Sequence, residues 1–132
     1  MEPRFELVDV NLLKSHEEVR NELLTSLIAE IKKDGFLRKP VLVENKDYVI
    51  LDGHHRFEAL KKIGCRRIPV YLVDYYDEAI YLTTWPEAKH TNVTKDDVLD
   101  TARSGKLYPP KTTRHIVRIE LKEVRVSLEE LM

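Results

Sequence analysis

The stretch Val49-Ile50-Leu51-Asp52-Gly53-His54-His55-Arg56-Phe57-Glu58-Ala59-Leu60 constrains this chain more than any other. An apolar strand pattern meets a single glycine, and a helical pattern begins at once, so a strand must hand over to a helix in one tight turn. The turn itself needs only Gly53. An acid, two histidines and an arginine beside it point to a ligand. A helix N-terminus presents unsatisfied N–H groups and the positive end of the helix dipole, which suits an anion such as phosphate. Gly53 lets that anion approach the backbone. Arg56 offers a planar fork for its oxygens, and His54 or His55 can donate as well. Asp52 cannot bind phosphate directly, but it is a candidate ligand for Mg²⁺ that does. The plainer alternative is a capped helix with Asp52 as N-cap. A zinc site on His54 and His55 is a further alternative, although helix neighbours point about 100° apart.

The remaining pattern surrounds this turn with alternating elements. Phe5–Val10 reads as a strand, and Glu18–Asp34 as a helix with Leu23, Leu24, Leu27, Ile28 and Ile31 on one face and Gly35 as its stop. Val41–Val43 and Tyr48–Leu51 read as strands joined by Asn45-Lys46-Asp47, followed by a helix from His54 or His55 to Ile63. Ile68–Val73 and Ile80–Thr84 add strands. Thr94-Lys95-Asp96-Asp97 has the form of a capping box, with Asp in place of Glu, opening a helix to about Ser104. Ile116–Leu121 and Val124–Val126 read as a closing strand pair. Mixed strands and helices with short connections predict a compact α+β domain, and 132 residues suit one domain, 1–132. No apolar run is long enough to span a membrane, and MEPRFELVDV has no apolar leader core. One cysteine, Cys65, leaves no internal disulfide and fits a reducing cytoplasm; it reads as a small buried side chain rather than a nucleophile.

Two more constellations carry possible chemistry. Pro109-Pro110-Lys111-Thr112-Thr113-Arg114-His115 sets two cations, two hydroxyls and a histidine behind a rigid proline pair, suited to phosphate or carboxylate; the alternative is a solvated loop entering a strand. His16-Glu17-Glu18 precedes the first long helix. Acids are common at helix starts, and the functional alternative is a general base. Trp85, the single tryptophan, stands beside Pro86 in a polar stretch, where it can wall a pocket or simply fill the core. A net charge of −1 lacks the basic excess of a sequence-independent nucleic-acid binder.

Over VILDGHHRFEALKKIGCRRIPVYLVDY the chain resembles the ParB/sulfiredoxin superfamily, whose members share a strand–glycine–helix site for nucleotide phosphates. Sulfiredoxins carry Gly-Cys-His-Arg there, and His54 stands in place of the reactive cysteine. Partition ParB proteins add a helix-turn-helix reader that has no counterpart here. Along most of its length the chain is similar to the archaeal free L-serine kinases, whose characterised members use ADP. His16-Glu17 matches their His-Glu, Asp52–Arg56 their Asp-Gly-His-His-Arg, Thr84-Trp85 their Thr-Trp, and Pro110–His115 their Pro-Lys-Thr-Thr-Arg-His; VRVSLEELM fits their ending. The resemblance implies phosphorylation of free L-serine to O-phospho-L-serine from ADP or ATP with Mg²⁺. It implies Glu17 as base, and Asp52, Gly53, His54, His55, Arg56 and Lys111–His115 as phosphate-binding residues. It assigns Trp85, Thr113, Arg114 and His115 to the serine pocket. The competing reading is a ParB-like nucleotide- or DNA-binding regulatory module without turnover. Longer family members carry a large insertion between the tryptophan and Thr-Thr-Arg-His, where this chain has one short helical segment.

Overall fold

Ile68–Val73, the longest β-branched apolar run after the turn, lies at the heart of a four-stranded sheet. The computed structural model describes residues 2–132. Its elements are β1 (Arg4–Asp9), a short 3-10 turn (Val10–Leu12), α1 (Asn21–Asp34), β2 (Phe36–Leu37), β3 (Val41–Glu44), β4 (Ile50–Asp52), α2 (His54–Ile63), β5 (Arg67–Val73), β6 (Ile80–Thr84), α3 (Lys95–Arg103), β7 (Thr113–Val117), β8 (Val126–Ser127) and α4 (Leu128–Leu131). The sheet order is β1-β5-β3-β4. β5 runs antiparallel to β1 and parallel to β3, and β3 is antiparallel to β4. The parallel β3–β5 pair requires a crossover, and β4 with α2 supplies it.

Both faces of this sheet are covered, and the two-residue strand period divides its side chains between them. Val41, Val43, Ile50, Val70 and Leu72 join the cluster that buries Leu24 and Ile31 of α1 and Phe57 and Leu60 of α2. Leu42, Leu51 and Val73 point the other way, against Ile80 of β6 and Val98, Leu99 and Ala102 of α3. Glu44 is buried at the β3–β4 tip because its carboxylate accepts the N–H groups of Lys46 at 2.9 Å and Asp47 at 2.7 Å. The capping box that opens α3 is formed, with Thr94 and Asp97 each accepting the other's backbone N–H. No helix among the described residues is long and apolar enough to cross a membrane.

Two expectations are corrected. α1 begins at Asn21 rather than Glu18, because the Glu18 and Arg20 N–H groups go to Tyr108 and His55, which holds this stretch extended. Ile116–Leu121 and Val124–Val126 do not form a closing pair. β7 pairs antiparallel with β6, from Ile80 opposite Val117 to Thr84 opposite Thr113, and β8 pairs with β2. Alternation marks a strand but does not name its partner.

Candidate active site

The segment from Lys14 to Arg20 is threaded between two neighbours. On one edge Lys14 donates to the Tyr48 carbonyl at 2.9 Å, and Ile50 donates to that of Lys14 at 2.8 Å. On the other, Tyr108 donates to the His16 carbonyl and Glu18 to that of Tyr108, both at 2.8 Å. The paired histidines of α2 complete the grip: His54 Nε2 accepts the His16 N–H at 3.1 Å and His55 Nε2 accepts the Arg20 N–H at 3.0 Å. The rotation between helix neighbours that disfavours a shared metal lets the two rings reach backbone points four residues apart. Burial holds His54 well below the usual imidazole range and lowers His55 too, with help from the Lys111 and Arg20 charges. Each neutral ring therefore keeps its proton on Nδ1, the only donor it can offer a ligand.

Glu17 sits between these clamps, half-buried. Its Oε1 accepts from the Thr112 N–H at 3.2 Å and the Thr113 N–H at 2.8 Å, and lies 3.0 Å from the Thr113 hydroxyl oxygen. Burial raises its pKa and outweighs the lowering by those contacts. A carboxylate in this condition takes up a proton readily, as a general base must. Thr113 Oγ1 is also 2.9 Å from His16 Nε2, and His16 Nδ1 is 2.7 Å from the Ile50 carbonyl oxygen. His16 is fully buried, and burial pushes its pKa down to about 4.

The turn forms the facing wall. Asp52 ends β4 with an exposed carboxylate, and Gly53 is the N-cap of α2 at φ 105°. No side chain caps this helix, so its first N–H groups remain available for an anion. Asp52 as N-cap, the plainer sequence reading, is not what the structure has. Arg56 is largely buried; its Nη1 donates to the Lys39 carbonyl at 3.3 Å and its Nη2 lies 3.6 Å from the Asp52 carboxylate.

Trp85 follows β6 and is pinned to β7, its Nε1 donating to the Thr113 carbonyl at 3.1 Å. Lys111 Nζ and the Arg114 guanidinium lie 5.0 and 4.7 Å from its ring centre, both within cation–π range. Their charges thus stay at the cleft. His115 is more committed: its ring donates to the Leu51 carbonyl and its Nε2 lies 2.7 Å from the Tyr75 hydroxyl, and burial pushes it down to about 3. A cavity of about 430 Å³ brings together Glu17, Asp52–Arg56, Trp85, Lys111, Thr113, Arg114 and His115. Thr112 is not on its lining; its hydroxyl donates to the Pro109 carbonyl at 2.7 Å. Among the described residues no three His, Cys, Asp or Glu side chains converge as a metal cage. Sequence reasoning missed the part played by Tyr75 and Tyr108, which carry no local motif and meet the site only through the fold.

Residues 4–84 match the ParB N-terminal domain family. An ATP-dependent L-serine kinase of Staphylothermus marinus is 36% identical over 83 residues, 60% of this chain and 33% of that protein. The ADP-dependent L-serine kinase SerK of Thermococcus kodakarensis is 33% identical over 82 residues, 59% of this chain and 34% of that protein. The matches thus span about a third of the length of these curated relatives. A solved free serine kinase in complex with AMP superposes with a TM-score of 0.89 at 20% identity, covering 97% of this chain and 93% of that one, which establishes a shared fold. The matched stretch holds all four strands of the β1-β5-β3-β4 sheet, the Glu17 segment and the Gly53 turn, and the chain belongs to the ParB N-terminal domain family.

Proposed function

We propose that this chain, acting as one domain over residues 1–132, is a small-molecule kinase that transfers a phosphoryl group from ADP or ATP to the hydroxyl of free L-serine. The observation that carries the reading is a basic carboxylate, Glu17, on the same cleft as an uncapped helix N-terminus with an arginine beside it. The relatives named as L-serine kinases support the choice of acceptor. Phosphoryl transfer depends mainly on positioning and charge neutralisation, and the residues divide those tasks. The Gly53–Arg56 turn binds the nucleotide phosphates. Glu17 takes the serine hydroxyl proton as the oxygen attacks phosphorus, and the bond from phosphorus to the bridging oxygen breaks to release AMP or ADP. Arg114 and Lys111 hold phosphate and the serine carboxylate against Trp85. Thr113 and His115 shape that end of the pocket, and Thr112 contributes its backbone N–H to Glu17.

Asp52 fits Mg²⁺ in the manner usual for nucleotide enzymes, where one or two carboxylates join the substrate phosphates: its carboxylate is exposed at the phosphate turn and no all-protein cage surrounds it. Mg²⁺ held there would offset charge on the phosphates.

Phosphorus NMR of the protein with Mg²⁺, L-serine and either ADP or ATP tests the proposal, with homoserine and threonine as competing acceptors. Phosphoserine is the expected product. Nucleotide binding with no phosphorylated product would instead favour a ParB-like binding module, the reading that the family match by itself allows.

A further inference from the structure

Thr113 Oγ1 stands between two groups that each need its proton. It lies 3.0 Å from Glu17 Oε1 and 2.9 Å from His16 Nε2, yet a threonine hydroxyl has one hydrogen to donate. The far side of His16 decides how the conflict resolves. His16 Nδ1 is 2.7 Å from the Ile50 carbonyl oxygen, which can only accept, so Nδ1 carries the ring proton. The ring is fully buried and neutral at ordinary pH. Its Nε2 is therefore a bare acceptor aimed at Thr113.

With Glu17 ionised, the Thr113 hydroxyl has acceptors on both sides and satisfies one. With Glu17 protonated, the carboxyl O–H donates to Thr113 Oγ1, the Thr113 O–H turns to His16 Nε2, and His16 Nδ1–H donates to Ile50. Every link then has a donor and an acceptor. We infer that Thr113 and His16 form a hydrogen-bond chain completed only when Glu17 holds a proton, so that the pair strengthens Glu17 as a base. Only one proton changes molecules: the acceptor's O–H bond breaks and an O–H bond on Glu17 forms, while the hydroxyl rotates and His16 stays neutral. The proton leaves to solvent when Glu17 resets. His16 is thus a positioning residue that acts through Thr113. That the arriving proton comes from a substrate hydroxyl rests on the proposed function; the chain itself does not.

Other ionisable groups near the chain are accounted for. His54 of α2, His115 of β7 and Tyr108 surround the His16 ring, with centroid separations of 4.5, 5.9 and 6.5 Å. Nε2 of His54 takes the His16 N–H and Nε2 of His115 faces Tyr75, so neither replaces Thr113. Asp52, Arg56 and His55 share the cleft with Glu17, as do Lys111 and Arg114. They set a background that the variants below leave in place.

The test needs no turnover. In wild-type protein carrying ¹⁵N-histidine and glutamate ¹³C-labelled at its side-chain carboxyl carbon, Glu17 is assigned by the resonance missing in Glu17→Gln. His16 is assigned likewise by its absence in a His16 variant, or by through-space contacts in the wild type. The expected result is a proton on His16 Nδ1 and an Nε2 resonance that moves with the Glu17 midpoint. A proton on Nε2, or an Nε2 resonance unmoved through that midpoint, overturns the inference. His16→Asn keeps a donor for Ile50 and loses the acceptor for Thr113; its Glu17 midpoint is expected to fall by about half to one pH unit. His16→Gln, which restores an acceptor, should recover it, and His16→Asn should move nothing in a Thr113→Val background. An unchanged midpoint in His16→Asn, or an equal fall with and without the Thr113 hydroxyl, also overturns it. If no phosphoserine forms in the NMR assay, the proposed function fails and these spectra still decide the chain.

Discussion

A methyl group on Gly53 would stand 2.7 Å from Arg56 Nη2, on a backbone held at φ 105°. The glycine therefore serves both the turn and the seating of the guanidinium. Gly53→Ala is expected to lose about 1–3 kcal/mol of stability, read from urea unfolding, and to weaken nucleotide binding in calorimetry because Arg56 must move. Gly35 at φ 79° has nothing within 4 Å of an added Cβ, so Gly35→Ala should show a strain cost with nucleotide affinity unchanged. At Glu17, the Gln variant keeps the shape and removes the base. Turnover to phosphoserine should drop by about 10²–10⁴ while nucleotide still binds; near-wild-type turnover from a folded variant would refute the assignment. Residue identities were legible where one local motif held them, as at Asp52–Arg56. The occupation of His54 and His55 by backbone partners was not, since those partners lie 38 and 35 residues away in sequence.

Among the elements, those written in local chemistry were readable. The α3 capping box and the αL glycines closing α1 and α2 fall where the sequence places them, because each depends on residues within one turn. Thr94→Ala removes one side of that box and should lower stability by about 1 kcal/mol, seen as a lower urea midpoint with the site's nucleotide affinity unchanged. Strand partners were less readable. β7 and β8 overlap the expected strands only at Ile116, Val117 and Val126, and β7 is claimed by β6 and β8 by β2. The late start of α1 has the same origin: Glu18 and Arg20 lose their N–H groups to Tyr108 and His55 before a helix can use them.

Across the whole molecule, the buried histidines make stability depend on pH. Burial drops His16 to about 4 and His115 to about 3, and holds His54 well below the usual imidazole range. An unfolded chain binds those protons near 6.5. Below that value the unfolded state holds more protons, so stability present at pH 7 is lost as pH falls toward the folded values. Each ring adds up to about 1.4 kcal/mol per pH unit. Glu17 works in the opposite sense, its raised pKa favouring the folded state as pH drops, but one carboxyl stands against three rings. Urea midpoints are expected to fall between pH 7 and 5; a flat profile would contradict neutral burial. The single tryptophan gives this assembly its own optical reporter. Trp85 follows β6 and is tied to β7 under two cations at the cleft wall, so indole emission, excited apart from the six tyrosines, originates at one place in this chain. Indole fluorescence therefore reports the pairing of β7 with β6 as the protein refolds, and any anion that draws Lys111 and Arg114 off the ring should register as a change in that one signal.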